Sequence, residues 1–175
     1  MIRILSGDPG GQSDPYGICG VEVRDGLLYP KFACAISKCT VEQSGMIMEH
    51  IAQQVLPNYV VVERNNRGML YISELERRGL KVVPITTVGD TNTHTSIHTM
   101  DKNHTISYLR NNMDKIRWPG KPGPGMKELI SQIGYISEFK TPGGKSAYRA
   151  RKGHDDMFMA FLICVHMYRI IQIDL

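Results

Sequence analysis

The chain has 175 residues, of which 42% are hydrophobic and 22% are charged, and its formal net charge is +4. This length suits one domain with a substantial core, and the composition is ordinary for a soluble globular protein. The longest apolar run falls well short of the ~18 residues that a membrane helix needs, so a membrane-spanning protein is excluded. The mild positive charge permits an anionic partner without demanding one.

Three strands joined by short turns are predicted at the start of the chain, over residues 1–8, 16–23 and 27–36. Asp25-Gly26 is a strong hairpin turn between the second and third strands. Pro30 interrupts the third strand, which favours an edge position. Together these strands predict an antiparallel meander.

The hydrophobic period then changes to a helical one. Thr40 opens a capped helix that runs to about Val55, and the β-branched run at 59–63 predicts a strand buried on both faces. A second helix is predicted over residues 69–78 and another short strand over 81–85. Helices between parallel strands make this part an α/β domain.

The last third of the chain is predicted to alternate polar connections with helices. Residues 86–104 are too polar to pack and predict a flexible loop near substrate. The remaining predicted elements are a helix at 105–115, a Pro/Gly connector at 118–125, a helix at 127–133, strands at 135–140 and 147–151, and a final apolar helix. The four cysteines form no C-x-x-C pair and no signal peptide precedes them, so free thiols in a reducing compartment are predicted.

Carboxylates stand at the ends of three separated elements. Asp8 ends the first strand, Glu63 ends the fourth, and Asp155 and Asp156 precede nine apolar residues of the last helix. Sites of α/β sheets assemble at the carboxyl ends of central strands, and the first and fourth strands can be neighbours if the meander occupies one edge. Carboxylates gathered there repel one another unless a cation lies among them, and hard oxygen ligands select Mg²⁺ or Mn²⁺.

Each acid also has a structural interpretation. Asp8 before Pro-Gly suits a turn, Glu63 could pair with Arg64 or Arg67, and the Asp155-Asp156 pair suits a helix cap. The combination of the three segments is more specific than any one of them.

Three segments together resemble a known family: residues 7–10 (Gly-Asp-Pro-Gly), residues 61–68 (Val-Val-Glu-Arg-Asn-Asn-Arg-Gly) and residues 153–157 (Gly-His-Asp-Asp-Met) before an apolar helix. They are similar to the C-terminal nuclease domain of the large terminase subunit, the DNA-packaging motor of tailed phages and related viruses. The resemblance spans nearly the whole chain, although Asp-Pro-Gly is shared with Holliday-junction resolvases. It implies a ribonuclease H-like α/β fold, with a central mixed sheet of antiparallel meander and parallel strands flanked by helices.

The resemblance also implies a single nuclease domain over residues 1–175 without the ATPase half of a complete large terminase. The Pro142-Gly143-Gly144-Lys145-Ser146 segment is not a phosphate loop, because that motif needs glycine where Phe139 stands. The chain is therefore either an excised nuclease domain or a separately encoded one.

By resemblance, Asp8, Glu63, Asp155 and Asp156 are catalytic and bind two Mg²⁺ or Mn²⁺ ions. Accessory roles are assigned to His154, Asp14, Asn66 and Arg67, with a helix-entry role for His154 and a turn role for Asp14 as alternatives. A mobile hairpin beside the acids is expected to grip DNA phosphates through its basic residues, unless it is merely a solvated basic loop. These residues are Lys140, Lys145, Arg149, Arg151 and Lys152.

The function that follows is metal-dependent endonuclease cleavage of double-stranded viral DNA concatemers during genome packaging, in the host cell cytoplasm, by two-metal-ion hydrolysis. Expected partners are double-stranded DNA, the packaging ATPase domain, the small terminase subunit and the portal, with no membrane, and the isolated chain is expected to be a monomer. The alternatives are a Holliday-junction-resolving nuclease and a non-catalytic docking module of a packaging motor. An actin-like ATP-binding protein fits poorly, since the chain is too short for two lobes.

Overall fold

A computed structural model describes residues 1–9, 15–89, 96–144, 146–151 and 154–173. The strands are β1 (Ile2–Asp8), β2 (Tyr16–Arg24), β3 (Leu27–Ile36), β4 (Tyr59–Glu63), β5 (Val82–Val88), β6 (Thr99–Asp101), β7 (Ile136–Lys140) and β8 (Ser146–Ala150). The helices are α1 (Val41–Val55), α2 (Gly68–Arg77), α3 (Lys102–Asn111), α4 (Pro124–Tyr135) and α5 (Asp156–Ile173), with a 3₁₀ turn at Met113–Lys115. No helix in the described ranges is long and apolar enough to cross a membrane.

Six strands form one mixed sheet in the order β3-β2-β1-β4-β5-β6, and β7 pairs with β8 in a separate ribbon. The pairs β1–β2 and β2–β3 are antiparallel, whereas β1–β4, β4–β5 and β5–β6 are parallel. The predicted mixed sheet is confirmed, with the meander on one side and the parallel strands on the other. Pro30 lies in the edge strand β3, next to a register shift in its pairing with β2, and both are places where a strand tolerates proline.

Two apolar layers enclose the sheet. Helix α5 covers one face and is buried nearly all round, with Phe158 and Phe161 at most 1% exposed. Helices α1 and α2 cover the other face, where Met48 and Leu75 pack with Leu5 of the sheet. Complete burial of one phenylalanine contributes about 1.5–3 kcal/mol, so Phe158 and Phe161 stabilise the packing of α5 on the sheet.

The prediction of a loop over residues 86–104 is wrong at both of its ends. Strand β5 continues to Val88, and Thr99–Asp101 forms β6, which pairs with β5 and buries Met100 completely. Helix α3 begins at Lys102, three residues earlier than predicted, because the Asp101 side chain caps it by accepting a bond from the His104 amide at 2.9 Å. The sequence pattern failed here because a three-residue strand contains one inward side chain and so has no visible period.

His166 joins this region to α5. Its ring is fully buried, and its Nε2 lies 2.9 Å from the Ser96 carbonyl oxygen. That oxygen accepts, so Nε2 carries the proton of the neutral ring. Burial lowers the pKa of His166, and the Arg169 guanidinium lowers it further, against the opposing effect of the bond to Ser96.

Stability is expected to fall as the pH drops through the ordinary histidine pKa of about 6.5, since the unfolded chain takes up the proton first and the folded chain resists it. Urea unfolding measured between pH 7.5 and 5.5 checks this. The His166→Gln variant should show a flatter dependence, whereas the exposed-site variant His50→Gln should keep that of the wild type. Equal slopes in all three proteins would contradict the assignment.

Candidate metal centre

The carboxyl ends of β1 and β4 bring two of the predicted acids together. Gly7 and Val62 are register partners in the parallel pair, so Asp8 and Glu63 are the next residues of adjacent strands. Neighbouring strands lie about 5 Å apart, which sets the separation of the two backbones. The predicted adjacency of the first and fourth strands is therefore confirmed.

Both acids point to the face that α5 covers. Ser6 donates a hydrogen bond of 2.7 Å to the Ala160 carbonyl of α5, and Val61 belongs to the same core cluster as α5. Residues two apart in a strand share a face. The side chains of Asp8 and Glu63 therefore leave the sheet on the α5 side.

The first turn of α5 rests directly on the sheet beside Asp8. Gly17 of β2 is the register partner of Asp8, and a Cβ on Gly17 would lie 2.2 Å from the Asp156 carbonyl oxygen. A side chain cannot fit there, so the glycine permits the backbone of α5 to approach this closely. The contact brings the Asp155-Asp156 segment to the end of the sheet that holds Asp8 and Glu63.

Capping of α5 involves a residue from another helix. The amide of Phe158, at the position that a capping side chain ordinarily satisfies, donates 2.9 Å to Oε1 of Gln132 in α4. Gln132 is 6% exposed. This bond weakens the interpretation of the Asp pair as a helix cap and nothing more.

The acids differ in burial and in neighbours. Asp8 and Asp156 are each 5% exposed, whereas the Asp155 side chain is 34% exposed and lies 3.6 Å from Nζ of Lys102. His154 Nδ1 lies 3.9 Å from Oδ2 of Asp156. Glu63 accepts a hydrogen bond of 3.3 Å from Nδ2 of Asn65, which also donates to the Thr87 carbonyl at 2.6 Å.

Tyr16 lies on the other side of the β1 backbone from Asp8. A Cβ on Gly7 would meet its hydroxyl at 2.2 Å, and its ring stacks on Tyr71 with centroids 4.9 Å apart. Burial raises the pKa of Tyr16 well above its usual value, and the charge of Asp8 raises it further. The phenol therefore stays protonated beside the carboxylate.

The acids fit a hard divalent cation in donor type and in position, since all are oxygen ligands at one end and on one face of the sheet. Over the described residues, however, no three Asp, Glu, His or Cys side chains converge as a finished metal cluster. Like charges repel without a cation among them. Neighbouring side chains contact three of the acids: Asn65 bonds to Glu63, Lys102 pairs with Asp155, and His154 lies beside Asp156.

The predicted basic hairpin is formed by β7 and β8 and is attached to α3. The Tyr148 hydroxyl oxygen lies 3.1 Å from Ser107 Oγ, and the Tyr148 backbone amide donates to Asn103 Oδ1. The Arg110 guanidinium lies over the Tyr148 ring, 4.8 Å from its centroid. Lys140 is exposed and lies 3.7 Å from Glu138.

The other predicted basic residues follow the same hairpin. Arg149 lies opposite Ser137 in the ribbon, and the exposed Arg151 donates its amide to the Tyr135 carbonyl. Lys145 and Lys152 lie outside the described residues, as does Asp14. The DNA-contact assignments stay predictions.

The accessory residues lie in the turn between β4 and α2. Asn66 is exposed with φ 51°, and Arg67 is the half-buried N-cap residue of α2. The side chain that touches Glu63 belongs to Asn65, which sequence analysis did not single out. His154 is exposed beside Asp156.

Three further residues of the site were missed from the sequence. Gly17 had a signal, because an isolated glycine inside a strand indicates close approach of another backbone. Tyr16 and Lys102 had none, since their relation to Asp8 and Asp155 arises only in the folded chain.

The chain was compared with known proteins in sequence and in fold. No protein-family model matches the chain, and no curated protein matches it in sequence. Solved structures do match in fold. The large terminase nuclease of thermophilic phage G20c with bound magnesium superposes with a TM-score of 0.71, at 18% identity, over 94% of this chain and 80% of that one. The chain has the fold of a large terminase nuclease domain.

Other large terminases give the same result. The nuclease domain of the large terminase subunit of bacterial virus Sf6 matches with a TM-score of 0.69 at 12% identity, over 95% of this chain and 88% of that one. The large terminase of another thermophilic bacteriophage matches with a TM-score of 0.68 at 15% identity, over 95% of this chain and 39% of that one. The predicted ribonuclease H-like fold is confirmed, and the G20c nuclease has also been solved with bound cobalt.

Replacing Gly17 with alanine is expected to lower the free energy of unfolding by about 1–3 kcal/mol, because the new methyl group meets α5 backbone that cannot move aside alone. Chemical denaturation measures the change. Gly134→Ala is the matched control: it lies inside α4 with open space around it, and should be neutral or stabilising by up to about 1 kcal/mol. A Gly17→Ala protein as stable as the wild type would contradict the close contact between the α5 backbone and Gly17.

Proposed function

We propose that this protein is a metal-dependent endonuclease that cleaves double-stranded viral DNA during genome packaging, as the nuclease part of a terminase motor. The observation that carries the proposal is the meeting of Asp8, Glu63 and the start of α5 at one end and one face of the sheet. The fold of terminase nucleases, one of them solved with bound magnesium, supports it. Mg²⁺ or Mn²⁺, in two sites, are the proposed cofactors.

Asp8 is the central ligand of the proposed site. It is only 5% exposed between β2 and β4, so its position is set by the sheet, and Glu63 stands beside it at the end of the adjacent strand. Asp156, equally buried, enters from α5. Bound cations would polarise the scissile phosphodiester, activate the attacking water and stabilise the leaving oxygen.

The remaining residues hold and tune these ligands. Asn65 fixes Glu63 by bonding to both its carboxylate and the Thr87 carbonyl of β5. Lys102 pairs with Asp155, so the Lys102 ammonium lies close enough to the acids to neutralise the charge of a phosphate bound there. His154, exposed beside Asp156, is proposed to orient a phosphate or a water.

DNA is proposed to lie across the acidic end of the sheet and along the β7–β8 hairpin. Lys140 and Arg151 are exposed on that hairpin. Hydrogen bonds from the hydroxyl and the backbone amide of Tyr148 tie the hairpin to α3, which also carries Lys102. Contacts of this kind read the backbone and not the base sequence, so cleavage is expected to show little sequence preference. The packaging ATPase, the small terminase subunit and the portal are the proposed protein partners.

Nicking of supercoiled plasmid in Mg²⁺ or Mn²⁺ tests the proposal. Asp8→Asn and Glu63→Gln should lower the cleavage rate at least about 100-fold, since each removes an ionic ligand of the metals. A thermal shift on adding Mn²⁺ gives a second readout, because a ligand of the folded state raises its stability. The control Glu76→Gln changes an exposed acid of α2 and should leave both readouts intact.

Nicking and metal-induced shifts that persist unchanged in both site variants would overturn the assignment. Cleavage of four-way junctions at a far higher rate than linear duplex would instead assign the site to junction resolution. A wild-type protein with neither cleavage nor a metal-induced shift would leave the fold as a docking module and defeat the proposal.

The two adjacent aspartates are expected to differ. Asp156→Asn should lower the cleavage rate by a larger factor, on the order of tenfold or more, than Asp155→Asn, because Asp156 is 5% exposed beside β2 whereas Asp155 is one third exposed and engaged by Lys102. The same plasmid assay measures both. A larger loss for Asp155→Asn would reverse the assignment of the stronger ligand.

A further inference from the structure

A cavity of about 340 Å³ opens on the surface at the β3 edge of the sheet. Its described lining consists of two aromatic residues, two cations and two prolines: Tyr29, Trp118, Lys31, Arg117, Pro30 and Pro119. None of these lining residues carries a carboxylate. The cavity shares no lining residue with the acidic end of the sheet.

A third cation lies beside the cavity, against one of its lining residues. The Arg24 guanidinium lies 4.0 Å from the centroid of the Tyr29 ring, so it is held over one wall of the cavity. Arg24, Lys31 and Arg117 are all exposed. Glu22 is the acid nearest to Lys31 at 3.6 Å, but it is shared with Arg3 at 3.7 Å and therefore only partly offsets the local charge.

The segment that carries Arg117 and Trp118 is fixed to the sheet. Leu28 and Ile116 form a parallel bridge, and the Arg117 amide donates 2.8 Å to the Leu28 carbonyl. The Trp118 ring packs against Phe161 of α5 with centroids 5.6 Å apart. The backbone that carries Arg117 and Trp118 is thus held in place, which lowers the entropy lost when Arg117 binds an anion.

The cavity and the acids stand at opposite ends of the sheet. Tyr29 pairs with Glu22, which pairs with Arg3, five residues before Asp8 on β1. At about 3.3 Å per residue along the strand and 5 Å between strands, the separation is roughly 20 Å. Arg3 and Glu22 alternate along their strands with Ile4, Val21 and Val23, which pack with α5, so Tyr29 lies on the face of the sheet opposite to Asp8. A duplex that contacts both sites would therefore pass around the β3 edge.

We propose that this cavity is a second DNA-contact site, in which Arg24, Lys31 and Arg117 bind the phosphodiester backbone away from the position of cleavage. The inference rests on the proposed nuclease function and extends it: the cavity holds the duplex while the acidic end cuts it. Three exposed cations at a cavity with two aromatic residues in its lining suit successive phosphates of a nucleic acid.

The test uses Trp118, which is the one tryptophan of the chain and lines the cavity. A 24-base-pair duplex titrated into the protein in EDTA, where no cleavage occurs, should change Trp118 fluorescence. The Lys31→Ala/Arg117→Ala variant should bind the duplex about tenfold more weakly at 100 mM salt. Its plot of log affinity against log salt should be shallower by about 2, as expected for two lost phosphate contacts.

Two controls distinguish binding at the cavity from an effect of the overall positive charge of the protein. Lys38→Ala/Lys81→Ala removes the same charge from exposed positions outside the cavity lining and should bind like the wild type. Arg117→Lys keeps the charge and should retain most of the affinity. Unchanged salt slopes in the Lys31/Arg117 variant would overturn the proposal, as would a response of Trp118 to polyglutamate but not to DNA, which would assign the cavity to an acidic protein.

The outcome is distinguishable from failure of the nuclease proposal. If the wild type does not nick plasmid, yet shows the fluorescence change and the expected salt slopes, the nuclease proposal fails and the proposal of a second DNA-contact site stands. If the wild type nicks plasmid but the Lys31/Arg117 change leaves the salt slope unaffected, the nuclease proposal stands and the proposal of a second DNA-contact site fails.

Discussion

The contact between the first turn of α5 and Gly17 determines where Asp155 and Asp156 stand relative to Asp8. Gly17 is the register partner of Asp8, and its missing side chain leaves room for the Asp156 carbonyl against the sheet. Further along, Ser6 bonds to the Ala160 carbonyl of the same helix at 2.7 Å. Two fixed points one helical turn apart prevent α5 from sliding or rotating, so burial of its apolar side chains also sets the position of its acidic end.

Much of this arrangement could be predicted from the sequence. The β-branched run of β4 and the change from meander to helical period place β1 and β4 side by side, and that topology alone brings Asp8 and Glu63 to the same end. The dense apolar run after Asp156 likewise predicts a buried helix. These features can be read from the sequence because each extends over several residues, and successive residues all meet the same requirement for burial.

Other features could not be predicted, because they depend on single residues in a folded context. Strand β6 exists because Met100 is buried beside β5, which no period within three residues reveals. Of the two adjacent asparagines after β4, Asn65 reaches Glu63 while Asn66 takes a positive φ in the turn. Gln132 satisfies an amide of α5 from a different helix, a relation set by the packing of α4.

The site combines a rigid backbone with acids whose partners are easily exchanged. Asp8 is held by strands on both sides, whereas Asp155 pairs with Lys102 at 3.6 Å while one third exposed. Partly exposed ion pairs of this kind contribute only about 0–1 kcal/mol, so a cation can displace Lys102 at little cost. A divalent ion that relieves the repulsion among several carboxylates gains more than that. In the proposed metal site, side chains would move toward the cation without movement of the fold, because the helix and the strands already hold the backbones in place.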